Sequence, residues 1–176
     1  MGKKLKLKYS ATDLSKFETC KCHIINKIRK FKGEDVLDVE STRTQREFQK
    51  QGIDIEENYI KKLRSNKKIK LVEINKVKYE ERLEATINAL GEGVDYIYQG
   101  FLEDKQLMGY PDLLKKIDKP SDLGDFSYEV VDIKRSKNPK QENITQLLTY
   151  SFLLEKVQGN LPNHINIING LAHTLN

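Results

Sequence analysis

The residues best suited to chemistry lie between Gly109 and Lys134. Asp112 follows Pro111 in the stretch G-Y-P-D-L-L, and Asp132, Ile133 and Lys134 close the stretch Y-E-V-V-D-I-K. Carboxylates are hard oxygen ligands for magnesium or manganese, and an ion held with open positions activates water and neutralises charge on a phosphodiester. Asp112 and Asp132, on neighbouring strands, could hold such an ion together with the Ile133 carbonyl. Strand side chains repeat every two residues, so D-x-K turns Asp132 and Lys134 to one face. There the lysine could hold the attacking water or stabilise developing negative charge. In a chain this rich in charge the tripeptide alone is weak evidence, and a third acid strengthens it. Glu56 stands three residues after Ile53 and three before Tyr59, on the apolar side of a predicted helix, where a carboxylate needs a partner. A lysine, or solvent reached by snorkelling, would satisfy it equally well.

The elements that must position these residues follow from periodicity. An extended piece at 5–9 leads to Ser10, a good N-cap with Asp13 three residues on as an approximate capping box. Leu14, Phe17, Ile24, Ile25 and Ile28 then predict one helix over 11–30, ended by Gly33. A second helix spans 42–65 on Phe48, Ile53, Ile55, Tyr59, Ile60 and Leu63, and Gly52 inside it suggests close approach of another backbone. Residues 68–73 read as a short strand near an edge, and 79–90 as a helix closed by Gly91 and Gly93. The β-branched and aromatic run 94–102 is a first core strand; after a turn at 103–105, residues 106–117 return as the second, carrying Asp112. Residues 128–134 make a third, largely apolar strand, which predicts a central position. Beyond Pro139, Ile144, Leu147, Leu148, Phe152, Leu153 and Val157 form a helical stripe ended by Gly159 and Pro162, and 165–168 is a last strand. The predicted fold class is α/β, a single domain over 1–176. Its core runs helix, three-stranded antiparallel meander, helix, strand, in a mixed central sheet flanked by helices.

Composition narrows the partners. The 176 residues carry a net charge of +5, with 38% hydrophobic and 32% charged positions. The basic residues clump at Lys61, Lys62, Arg64, Lys67, Lys68 and Lys70, and again at Arg135, Lys137 and Lys140 beside the D-I-K stretch. Such clusters are either solvated faces or a footprint for an anionic polymer, and the last one adjoins the candidate site. No apolar run approaches the ~20 residues of a membrane helix, and M-G-K-K-L-K-L-K lacks a secretory apolar segment, so a cytoplasmic protein with no membrane partner is expected. No G-x-x-x-x-G-K-[ST] motif occurs, and any ATP-driven step belongs to a partner. Cys20 and Cys22 make a poor zinc half-site without a second pair; reduced, partly buried thiols on a helix, with no disulfide framework, are expected.

With these motifs assembled, the chain resembles the PD-(D/E)xK nuclease superfamily, and more narrowly the RecB-like nuclease family. The resemblance rests on S-A-T-D-L-S-K-F-E-T-C, Q-G-I-D-I-E-E-N-Y-I, Y-I-Y-Q-G, M-G-Y-P-D-L-L, Y-E-V-V-D-I-K and Q-L-L-T-Y, which span roughly residues 9 to 159. It implies a restriction-endonuclease-like core and a metal-dependent deoxyribonuclease acting in DNA repair, recombination or defence. Asp112, Asp132 and the Ile133 carbonyl would bind Mg2+ or Mn2+, with Glu56 completing the shell, and Lys134 would match the catalytic lysine. Gln146 and Tyr150 match a Q-x-x-x-Y motif that contacts nucleic acid or orders the site, and their i, i+4 spacing does put them on one helix face. They would also serve as residues flanking a core stripe. Arg135, Lys137 and Lys140 would hold the backbone of single- or double-stranded DNA, and a helicase or another nuclease-complex subunit is an implied partner. DNA rather than RNA follows from the resemblance alone. Relatives with an iron-sulfur cluster use three cysteines near the C-terminus, and this sequence has none after Cys22, so no cluster is expected. Relatives also continue beyond the last strand; a stand-alone protein, a truncated copy and a domain fragment all remain open. The rival expectation is a catalytically inactive nucleic-acid-binding or assembly module that retains the nuclease fold.

Overall fold

Short apolar runs, rich in β-branched and aromatic residues in the larger of two sheets, build the strands in the computed structural model of the chain, which describes residues 6–37, 43–134 and 140–169. In chain order the elements are β1 (Tyr9–Ser10), α1 (Ala11–Thr19), α2 (Cys22–Phe31), α3 (Arg43–Ser65), β2 (Leu71–Glu73), α4 (Arg82–Gly91), β3 (Tyr96–Tyr98), β4 (Leu102–Asp104), β5 (Leu107–Gly109), β6 (Leu113–Ile117), β7 (Ser127–Lys134), α5 (Gln141–Gln158) and β8 (Ile165–Asn169). The larger sheet has the order β2-β3-β6-β7-β8. Its three middle strands run antiparallel to their neighbours within the trio, and β2 and β8 add in parallel at the two edges. The smaller sheet places β5 between β1, parallel, and β4, antiparallel. The fold is thus mixed α/β.

Alternation along β7 explains why every residue from Ser127 to Ile133 is buried. Tyr128 and Val130 join Ile97 and Leu114 beneath Leu147, Leu153 and Leu154 of α5. Val131 and Ile133 face the other way, with Tyr98 and Leu113, against Ile60 and Leu63 of α3. Helices therefore cover both faces of this interior strand, which lies between β6 and the edge strand β8. The end of α5 is pinned to the start of β7 by Gln158, buried to 1% exposure, whose Oε1 accepts the Tyr128 N–H at 2.9 Å while its Nε2 donates to the Tyr128 carbonyl at 3.2 Å. Gly159 then ends the helix at φ 75, the left-handed conformation glycine adopts without a side-chain clash.

Several sequence expectations need correction. The helix expected over 11–30 is two helices: Cys20 is extended, at φ −148, so α1 stops there and α2 starts afresh at Cys22. Cys20 and Cys22 are joined as a disulfide and both are exposed, in place of reduced, partly buried thiols. The strand expected over 106–117 is also two. Pro111 has no N–H to offer a ladder, so β5 ends at Gly109 and β6 begins at Leu113, each in a different sheet. Its expected partner over 94–102 breaks likewise, at Gln99, and the turn that follows falls at Lys105 and Gln106. Among the described residues nothing approaches within 4 Å of a Cβ built at Gly52, so none of their backbone crosses there, and Ile53 beside it is 64% exposed. Residues 68–73 yield only the three-residue edge strand β2.

Candidate functional site

The break at Pro111 creates the site. The β6–β7 ladder runs out at the pair Leu113 and Val131, and the next positions on each side are Asp112 and Asp132. Beyond the last ladder bond the Ile133 N–H still needs an acceptor, and it donates to Asp112 Oδ2 at 3.0 Å. A carboxylate thus stands where a strand would have continued. The N–H and C=O of one strand residue point to the same side, so the Ile133 carbonyl is directed toward Asp112 as well.

Asp132 is 3% exposed and shares a strand face with Lys134, whose Nζ lies 2.9 Å from Asp132 Oδ1. The second oxygen, Oδ2, is buried without a hydrogen-bond partner among the described residues. A buried carboxylate oxygen left unpaired is costly, and such groups mark places where an unplaced proton, water or cation completes the bonding. Burial and the facing charge of Asp132 push the Asp112 carboxyl up to about 8; Glu56 adds to this, while Lys134 and the Ile133 N–H work against it. Burial pulls the Lys134 ammonium down, but Asp112, Asp132 and Glu56 outweigh it and hold its pKa above the ordinary value.

Glu56 belongs to α3, on the opposite face of the sheet from α5. Its Oε1 accepts a hydrogen bond from Gln99 Nε2 at 2.7 Å. Burial first, and then the nearby Glu56 carboxylate, push the Tyr98 phenol well above its usual range. On the α5 side, Gln146 Nε2 donates to the Tyr150 hydroxyl at 2.7 Å. Burial raises the Tyr150 phenol, and the charges of Asp112 and Asp132 raise it further. Its ring lies so close to Gly109 that a Cβ there would stand 2.5 Å from two ring carbons, which makes glycine the only residue that fits without a shift.

Glu56, Asp112, Asp132, Lys134, Ile133, Gln146 and Tyr150 are thus brought to one end of the sheet. Lys140 is exposed just ahead of α5, where its N–H donates to Asn143 Oδ1 at 3.0 Å. Arg135 and Lys137 lie outside the described residues. Tyr98 and Gln99 lie in the Y-I-Y-Q-G stretch of the resemblance, but no spacing or periodicity in the sequence assigns either of them to the site.

The donor set suits a hard divalent cation, since it consists of carboxylate and carbonyl oxygens, one of them buried with no hydrogen-bond partner among the described residues. The side chains are nevertheless engaged with one another. Among the described residues no group of three Asp, Glu, His or Cys side chains converges as ligands of one ion. A recess of about 330 Å³ lies at the other end of the β3–β6 pair, beside Lys68, Tyr96 and Lys115, and contains none of these acids. Comparison with family models, with curated proteins and with solved structures returns no match. No helix among the described residues is long and apolar enough to cross a membrane.

Proposed function

We propose that the chain is a metal-dependent nuclease with a restriction-endonuclease-like core, hydrolysing DNA phosphodiester bonds in the cytoplasm. The observation that carries this reading is the pairing of Asp112 with Asp132 at the frayed end of β6 and β7. There a buried Asp132 oxygen has no hydrogen-bond partner among the described residues, and Lys134 Nζ stands 2.9 Å from the other. The order of three antiparallel strands, α5 and a parallel β8 is in keeping with such a core.

In this reading Asp112, Asp132 and the Ile133 carbonyl hold Mg2+ or Mn2+, and Glu56 completes the shell directly or through water. When bound, the ion lowers the pKa of water and offsets the negative charge of the scissile phosphate. Lys134 keeps its proton beside the acids, and so can orient the attacking water or stabilise charge that grows on the phosphoryl oxygens. The Tyr150 hydroxyl already accepts from Gln146, which leaves its own proton to donate to a phosphate or to an acid of the site. Arg135, Lys137 and Lys140 would hold the DNA backbone, and a helicase or another nuclease subunit would be the protein partner.

Purified chain incubated with labelled single- and double-stranded DNA tests the reading. Cleavage is expected with Mg2+ or Mn2+ and not with chelator. Asp132→Asn and Lys134→Ala should each lower it by about 100-fold or more while DNA binding persists. Binding without metal-dependent cleavage of any substrate would favour the catalytically inactive module instead.

A further inference from the structure

Asp112 and Asp132 lie toward α5, whereas Glu56 comes from α3, which covers the other face of the sheet. Something must hold Glu56 at the strand ends where the acids sit. One residue touches both sides of the problem. The Gln99 backbone N–H donates to the Asp112 carbonyl at 2.9 Å, and its side-chain Nε2 donates to Glu56 Oε1 at 2.7 Å. It does so from a left-handed backbone, at φ 52, a region that glycine and asparagine favour and glutamine rarely enters.

Packing does not account for glutamine at this position. Gln99 is only half-buried, and the glycine that close packing demands is the next residue, where a Cβ at Gly100 would press on Leu114 at 3.3 Å. Holding a non-glycine residue in this conformation is unfavourable, and strain of this kind collects where a side chain has a task. A neutral amide is well chosen for that task. It donates to Glu56 without neutralising it, whereas a lysine would compete with a cation for the same carboxylate.

We infer that Gln99 is a positioning residue for the divalent-ion site: its amide aims the Glu56 carboxylate while its backbone fixes Asp112, so that acids from two faces of the sheet act on one ion. Tyr98 assists from the next position, within reach of the same carboxylate. The inference rests on the metal-dependent reading and adds to it a residue that touches neither ion nor DNA.

The deciding variant is Gln99→Gly, because glycine suits the backbone, keeps the N–H to Asp112 and removes only the amide. Mn2+ binding by calorimetry on the full chain, thermal melting with chelator, and metal-dependent DNA cleavage are compared with the wild type. Gln99→Gly is expected to melt at the same or a higher temperature, to bind Mn2+ about 10-fold more weakly, and to lose kcat with KM for DNA unchanged. Gln99→Asn, which keeps the amide on a shorter arm, should recover part of the Mn2+ affinity, and Tyr98→Phe should show a smaller loss of the same kind. Wild-type Mn2+ affinity in Gln99→Gly overturns the inference alone. Parallel loss of melting temperature and ion affinity in Gln99→Gly also overturns it, by making the residue structural. If the wild type itself binds no Mn2+, the metal-dependent reading falls and the inference falls with it.

Discussion

Asp112 performs two jobs that oppose each other. It caps the Ile133 N–H, which favours the ionised carboxylate, and it faces Asp132 in a buried setting, which disfavours it more. The net result is a carboxyl held up at about 8, and the sign of its pH dependence follows. A folded pKa above the unfolded value gives a contribution that is whole at low pH and lost as pH rises through about 8. In chelator, unfolding free energy from denaturant titrations should therefore fall from pH 6 to pH 9 by on the order of 2 kcal/mol, and Asp112→Asn should flatten that fall. Divalent-ion affinity should move the other way over the same range, because the ion displaces the proton. The relation between Asp132 and Lys134 was legible beforehand, since period two on a strand decides it. The Asp112 bond to Ile133 was not, because it depends on where a ladder in three dimensions stops.

At the level of elements, α1 shows how a local signal can be right and incomplete. Ser10 and Asp13 form the expected reciprocal cap: Ser10 Oγ accepts the Asp13 N–H at 3.0 Å and Asp13 Oδ2 accepts the Ser10 N–H at 2.7 Å. The same carboxylate also binds His23 Nε2, at 2.8 Å, and Lys27, both on α2. In a continuous helix positions 13 and 23 would lie about 15 Å apart along the axis, so this contact exists only because the chain turns at Cys20–Cys22. Burial pushes Asp13 up, but Lys27, the Ser10 N–H and His23 together hold it at about 2. That depressed value stabilises the fold above pH ~4 and is lost as pH falls through about 2. Asp13→Asn should cost on the order of 2 kcal/mol at pH 7, and the difference from wild type should shrink toward pH 2, as chemical denaturation would measure. Helical periodicity predicts the apolar stripe across 11–30 but is blind to such a corner, because a single extended residue changes neither the spacing nor the composition.

At the scale of the molecule, the five-stranded sheet holds one group of acids toward α5 and receives Glu56 from α3, while a net charge of +5 sets the long-range field. If DNA is the substrate, binding should weaken steeply with salt, and the slope of log K against log salt counts the phosphates neutralised. Lys140→Ala is expected to reduce that slope by about 1 in anisotropy titrations of labelled duplex. A slope near zero would deny the basic residues this role. The sequence by itself determined that β7 is an interior strand, though one short of the centre, together with the α/β class, the capped start of α1, the glycine end of α5 and the shared face of Asp132 and Lys134. All of these depend on periodicities and caps that act within a few residues. Only the tertiary structure decided that the two expected core strands break at Gln99 and Pro111, that Cys20 and Cys22 form a disulfide at a corner, and that Gln99 joins Glu56 to the loop bearing Asp112. Pro111 and the C-x-C spacing are local signals, but whether a proline ends a strand or a cysteine pair closes depends on the path the chain takes through the folded structure, and so does the reach of Gln99 to Glu56.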